Sequence, residues 1–172
     1  MNPASPKVLM HLYADDSASF ASSNNLVVAY DFAPNQYSAG AMGNVGETAL
    51  QVSNPSTFNS GSHIMIHQTR GSDVATAGTW ELNQVQSVNG TTLHLIKPLT
   101  NSYVTGGGAK AQVVLAASFG NVEIVNGGTL KPSSPLAADG SMGGIVYVRA
   151  NKMTVKSGGR IDADGMGFQA VS

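Results

Sequence analysis

The residue types best able to do chemistry are sparse in this chain of 172 residues. His63 and His67 stand four apart in Ser62–Gln68, SHIMIHQ. That spacing clamps a metal on a helix, yet this run alternates. His63, Met65 and His67 fall on one face of a strand, with Ile64 and Ile66 on the other. Two imidazoles so placed lie roughly 13 Å apart, too far for one ion at about 2 Å from each nitrogen. Histidine of a core or an interface is the favoured reading, and no metal site is expected. Asp162-Ala-Asp164-Gly165 opens like a calcium loop. Calcium wants about six to eight oxygens, and no Glu follows at the bidentate position, so turn chemistry at a corner is favoured. Asp15-Asp16 reads as a strand stop and a solvated pair.

Nucleophile and nucleotide motifs are missing. There is no Gly-x-Ser-x-Gly elbow, and no Ser–His–Asp order stands out from chance. Gly106–Gly108 and Gly140–Gly144 lack the Lys-Ser/Thr of a phosphate loop and the helix that a dinucleotide fingerprint opens. No catalytic residue and no cofactor is assigned. Aromatic side chains are the remaining handle, because their faces stack on sugar rings while nearby Asn and Asp take hydroxyls. Strand aromatics more often pack in cores. Tyr37, Tyr103 and Tyr147 are the candidate ligand-binding residues, and Tyr37, in a polar loop, is the least core-like.

The elements that must position these residues read as strands throughout. Lys7–Tyr13, Leu26–Phe32, Thr48–Val52, Ser62–Gln68, Thr79–Val88, Thr91–Ile96 and Ala111–Ala116 are apolar or alternating runs, and 35–47 reads as a Gly- and Ser-rich loop. Asn89-Gly90 between two of these runs supplies the positive φ of a type I′ hairpin turn. Short strands at this spacing suggest a small antiparallel barrel or sandwich. The C-terminal part differs. Val122, Ile124, Gly127, Gly128 and Leu130 are matched 31 positions later by Met153, Val155, Gly158, Gly159 and Ile161. A third strand-like run, Gly144–Ala150, lies between the copies. Repeated alternating strands with a Gly-Gly corner are what stacked parallel β-coils write. The phrase Val-x-x-Val-Asn-Gly-x-Thr-Leu also occurs at Val85–Leu93 and Val122–Leu130, 37 positions apart. Either a degenerate repeat or hairpin chemistry used twice accounts for it. The expected organisation is all-β. An N-terminal arm with two strands spans 1–47, a barrel or hairpin region 48–116 and β-helix-like coils 117–172.

Composition narrows the function classes. Charged residues are 11% of the chain, less than half the usual share of about 25%. Nine basic and ten acidic residues, scattered, leave a net charge of −1 and no field to draw nucleic acid or an anionic membrane. No apolar run approaches the roughly 20 residues of a membrane-spanning helix. Cysteine is absent, which excludes disulfides and thiolate sites. The N-terminal stretch MNPASPKVLMHLYADD makes a poor signal peptide, and with Met1 present it favours a product made in the cytoplasm, as a virion component would be.

From His67 onward the chain resembles a glycine-rich module of large bacterial cell-surface proteins, including gliding-motility proteins. His67-Gln-Thr-Arg-Gly71, Gly78-Thr-Trp-Glu-Leu82, Lys97-Pro-Leu-Thr100, Ala111-Gln-Val-Val114, Gly143-Gly-Ile-Val146 and Gly165-Met-Gly-Phe168 carry the likeness. Barrel-plus-coil designs are also similar to phage tail and capsid appendages. The resemblance implies a small antiparallel β-barrel leading into a short right-handed parallel β-helix, and a surface or virion role without agreed catalytic residues. The expectation is a non-enzymatic structural subunit of an extracellular or viral assembly: a fibre, an appendage, or a capsid or tail decoration. The same expectation makes it a homo-oligomer that contacts other subunits of the assembly. A glycan-binding adhesin module is the alternative, and a polysaccharide-degrading β-helix enzyme the third reading. The last of these rests on analogy of fold; it needs clustered acids and a Lys or Arg base along one coil face, and only Lys152, Lys156 and Arg160 with Asp162 come near.

Overall fold

The computed structural model describes residues 24–167, so the strand expected over Lys7–Tyr13, the Asp15-Asp16 pair and Phe168 lie outside the described residues. The described chain is all-β, with a single turn of 3-10 helix at Pro55–Thr57 and no α-helix. Its strands are β1 (Leu26–Val28), β2 (Asp31–Phe32), β3 (Gln36–Ala39), β4 (Ala49–Gln51), β5 (His63–Arg70), β6 (Trp80–Asn89), β7 (Thr92–Leu95), β8 (Lys110–Leu115), β9 (Ala117–Ile124), β10 (Thr129–Leu130), β11 (Val148–Val155) and β12 (Arg160–Ile161).

Six strands form one antiparallel sheet in the order β3-β8-β5-β6-β7-β4. It curls until its edges meet, where Met42 N donates to Gln51 O at 3.0 Å and Ser53 N to Ala39 O at 2.9 Å. The alternation of β5 sets the inside. Ile64 and Ile66 are fully buried with Leu50, Val85, Leu93, Leu95, Leu99, Tyr103 and Val113, while His63, Met65 and His67 face outward. Gln68, also fully buried, plugs one end by donating to Val104 O at 2.9 Å and accepting from Val104 N at 3.0 Å.

Two features of this sheet differ from the sequence reading. Residues 36–39, read as loop, form β3, because Tyr37 and Ser38 find partners on β8 that composition does not reveal. The β6–β7 hairpin turns one residue later than expected. Asn89 still pairs with Thr92, so Gly90 (φ +56°) and Thr91 are the loop, with Gly at the first central position.

The other strands pair in parallel, in two three-stranded sheets, β1-β9-β11 and β2-β10-β12. Each sheet takes one strand from each of three strand–corner–strand units: β1–β2, β9–β10 and β11–β12. The register of the last two is the 31-residue repeat, since Val122 pairs with Met153, Ile124 with Val155 and Leu130 with Ile161. The run expected at Gly144–Ala150 is no separate strand; Val148–Ala150 opens β11 and pairs with Ala117–Phe119. The echo 37 residues apart is turn chemistry used twice. Val85–Leu93 bends an antiparallel hairpin, whereas Val122–Leu130 turns a corner between two parallel sheets.

The first unit comes from Leu26–Phe32, expected from its composition to be one strand of the N-terminal segment. It is two strands with a corner at 29–30, and Val28 pairs with Ile124 rather than with the curled sheet. The curled sheet is therefore an excursion between the first and second units. A second small core fills the stack, with Val28, Val122, Ile124 and Leu130 buried and Phe32 meeting Phe119 edge-to-face at 6.5 Å.

Both corner glycines have physical reasons. Gly127 and Gly158 adopt φ of +82° and +78°, which a side chain resists. Gly128 and Gly159 lie against the preceding unit: a Cβ would fall 2.0 Å from Val28 O and 2.5 Å from Ile124 O respectively.

Candidate functional site

The three candidate tyrosines do not share one surface. Tyr103 is 1% exposed inside the curled sheet, its backbone paired both ways with Gly43. Burial pushes its phenol well above the usual range, the Glu81 carboxylate adds to the shift, and Asn101 nearby opposes it. Tyr37, on the outer face of β3, is half-buried and donates its hydroxyl to Ile145 O at 2.6 Å. Tyr147 is half-buried nearby. Its backbone N donates to Asn35 Oδ1 at 2.8 Å, and its carbonyl accepts from Asn35 Nδ2 at 2.7 Å.

Tyr37 and Tyr147 thus meet at a joint. The segment 131–147 lies as a strap across the outer faces of β3, β8 and β5. Buried Gln112 donates to Gly143 O at 3.0 Å and accepts from Gly143 N at 2.8 Å, Thr69 Oγ1 donates to Gly140 O, and Tyr37 holds Ile145. Asn35, 4% exposed, also donates to Leu115 O at 2.8 Å. One carboxamide therefore ties the point where the chain leaves the stack to the point where it returns and to the strap. No local pattern gives Asn35 or Gln112 this tethering role, because each acts through contacts distant along the chain.

The histidines sit on the strand face expected of them. Burial lowers the pKa of His67, whose Nδ1 is buried without a partner among the described residues. Burial and then the charge of Arg149 lower that of His63. Among the described residues no group of three or more His, Asp or Glu could hold a metal. Asp162 Oδ1 accepts from Asp164 N at 2.9 Å, a local turn.

Two surfaces remain. A shallow groove of about 360 Å³ runs along β4, lined by Met42, Asn44, Glu47, Gln51 and Thr92 and by the chain at Tyr103–Val104. Glu47 Oε2 accepts from Asn44 N at 3.1 Å and from Asn44 Nδ2 at 3.2 Å, so carboxylate and carboxamide are held beside each other. Such a lining can hydrogen-bond a polyol. Its residues come from two loops and two strands, so no linear motif announces it.

The second surface is the outer edge of the third unit. In the middle unit Val122, Ile124 and Leu130 are at most 1% exposed. Their counterparts Met153 and Ile161 are half-buried, and Val155 is 48% exposed. Beyond β11 and β12 no further strand pairs among the described residues. Lys156 reaches Glu123 at 3.0 Å and Arg160 Nε donates to Thr129 Oγ1 at 3.1 Å, so both cations lean back on the unit beneath. No helix among the described residues is long and apolar enough to cross a membrane.

No family model matches the chain, and no curated protein matches it significantly. The resemblance to gliding-motility modules therefore has no family model behind it. The solved structures it resembles include two phage tailspikes. One is the Gp54 tailspike of Acinetobacter baumannii bacteriophage AP22, in complex with A. baumannii capsular saccharide; it is 13% identical over 64% of this chain and 27% of that one, with a TM-score of 0.38. The other is the tailspike protein gp49 of Pseudomonas phage LKA1, 16% identical over 62% of this chain and 19% of that one, with a TM-score of 0.36. The chain spans about a quarter or less of the length of these proteins.

Proposed function

We propose that this chain is a non-enzymatic structural subunit of an extracellular or viral assembly, and that its three parallel units are rungs of a right-handed β-helix. The observation that carries the reading is the third unit. It repeats the pairing, spacing and corner glycines of the second while leaving, among the described residues, its apolar ladder half uncovered and its outer edge unpaired. Natural sheets cover or charge such edges, and solenoids cap their terminal repeats. Burying this edge against a neighbouring subunit removes both costs. Light scattering across micromolar concentrations tests the idea, with Val155→Lys as the comparison. Self-association that weakens in the variant is expected. A chain that stays monomeric at every concentration, with Val155→Lys no different, overturns it.

The groove along β4 favours a second reading, a glycan-binding module, because its carboxylate, carboxamides and hydroxyl converge beside exposed Met42. Glu47→Gln and Gln51→Ala should then abolish glycan-array signal without lowering stability. An array with no signal for the unaltered chain removes this reading.

A further inference from the structure

The chain contains two Asn-Gly pairs in nearly the same local sequence, Val88-Asn-Gly-Thr-Thr-Leu93 and Val125-Asn-Gly-Gly-Thr-Leu130. An Asn followed by Gly is prone to deamidation, because the glycine nitrogen is unhindered. That nitrogen attacks Cγ of the asparagine. A C–N bond forms, the Cγ–Nδ2 bond breaks, and ammonia leaves a cyclic imide. Water then opens the ring at either carbonyl, giving aspartate or isoaspartate without oxidant or reductant. Flanked so similarly, the two sites have similar intrinsic reactivity, and the fold must distinguish them.

It does so through the nucleophile. Gly127 N donates to Gly158 O at 3.0 Å, and Asn126 Oδ1 lies 2.0 Å from where a Cβ on Gly158 would stand, so the carboxamide rests against the next corner. Ring closure at Asn126 requires the third unit to lift away first. Exposure does not separate the sites, since Asn126 and Gly127 are exposed as Asn89 and Gly90 are. What differs at the hairpin tip is that the N–H of Gly90 has no acceptor among the described residues and a Cβ there would meet nothing within 4 Å.

We infer that Asn89 is the site of spontaneous deamidation in this chain and that stacking of the third unit protects Asn126. Conversion to isoaspartate at 89 puts a methylene into the backbone and a new negative charge at the β6–β7 tip, where Asn89 pairs with Thr92. The corner at 126, on which the parallel register rests, is spared.

Incubation of the full chain at mildly alkaline pH, followed by peptide mapping for the deamidated mass and for isoaspartate, tests this. In the folded chain conversion at 89 should outrun that at 126 by about fivefold or more, the factor carried by opening one hydrogen-bonded contact. In concentrated urea the two rates should converge, and Asn89→Gln should remove the early product while leaving the slow one. Equal rates in the folded chain, faster loss of Asn126, or no conversion at 89 while the urea sample reacts would each overturn the assignment.

Discussion

Replacing the second glycine of each corner should measure how closely the parallel units approach. Gly128→Ala places a Cβ 2.0 Å from Val28 O, 2.7 Å from Val28 C and 3.1 Å from Val125 O, all backbone atoms that cannot rotate aside. Relief requires the first unit to move, and Val28 O is the acceptor of Val125 N at 3.0 Å. Overpacking costs about 1–3 kcal/mol, and the weakened hydrogen bond about 0.5–1.5 kcal/mol more. Loss of glycine's freedom in the unfolded chain returns about 0.4–1 kcal/mol. The net destabilisation centres on about 2 kcal/mol within extremes of roughly 0.5–4, and the central value is worth roughly 4–8 °C in Tm for a domain of this size.

Gly159→Ala meets Ile124 O at 2.5 Å, but in a unit with less packed around it, so its loss should be smaller. Gly167→Ala meets nothing within 4 Å and should be neutral. Urea denaturation of the three variants gives the order directly. If Gly128→Ala falls within about 0.5 kcal/mol of Gly167→Ala, the ordinary range for a surface change, the close-approach reasoning is wrong.

Gln112→Leu strands Gly143 N–H and C=O beneath the strap and should cost about 1–3 kcal/mol. Limited proteolysis should then cut within 133–142 while β5 and β6 stay protected, and an unchanged cleavage pattern would show that the strap is held elsewhere. Tyr37→Phe removes a single hydroxyl bond to Ile145 O and should lose about 1 kcal/mol without any effect on glycan binding, read by denaturation and by an array. Burial holds His67 below its usual value of 6.5. The unfolded chain therefore binds the proton more readily. The stability tied to the neutral ring is full above about pH 6.5 and falls as the pH drops below it. His63, shifted in the same direction, adds to the slope. Tm measured between about pH 7 and 5, above most carboxylate titration, should fall less steeply for His67→Gln than for the unaltered chain.

What the sequence disclosed follows from how far along the chain each cause acts. The alternation of Ser62–Gln68 depends only on which side of one strand is wet, so the burial of Ile64 and Ile66 was legible at once. The parallel register of β9 and β11 was legible because stacking imposes the same demand on both units, and Gly127-Gly128 and Gly158-Gly159 record it. Leu26–Phe32 carries no such mark, and its two-residue corner, Ala29-Tyr30, breaks the spacing. Its pairing with strands about a hundred residues later could not be read from local pattern. The tyrosines illustrate the reverse limit. Ring and polar neighbours look alike whether the ring faces a sugar or a core, and the burial of Tyr103 and the strap bond of Tyr37 depend on partners the sequence does not name.

The corner glycines also give the stack a direction. Gly128 abuts the carbonyl of Val28 and Gly159 that of Ile124, so each second glycine accommodates the unit before it and none the unit after. The first corner needs no glycine, since no earlier unit lies against Ala29-Tyr30 among the described residues. Growth in this register therefore adds strands beyond β11 and β12, and whatever continues the stack must bring its own glycine over the carbonyl of Val155. That requirement bears on the proposed assembly role: among the described residues the edge is unpaired, and a strand whose corner has the same local chemistry would fit it where one carrying a side chain there would clash.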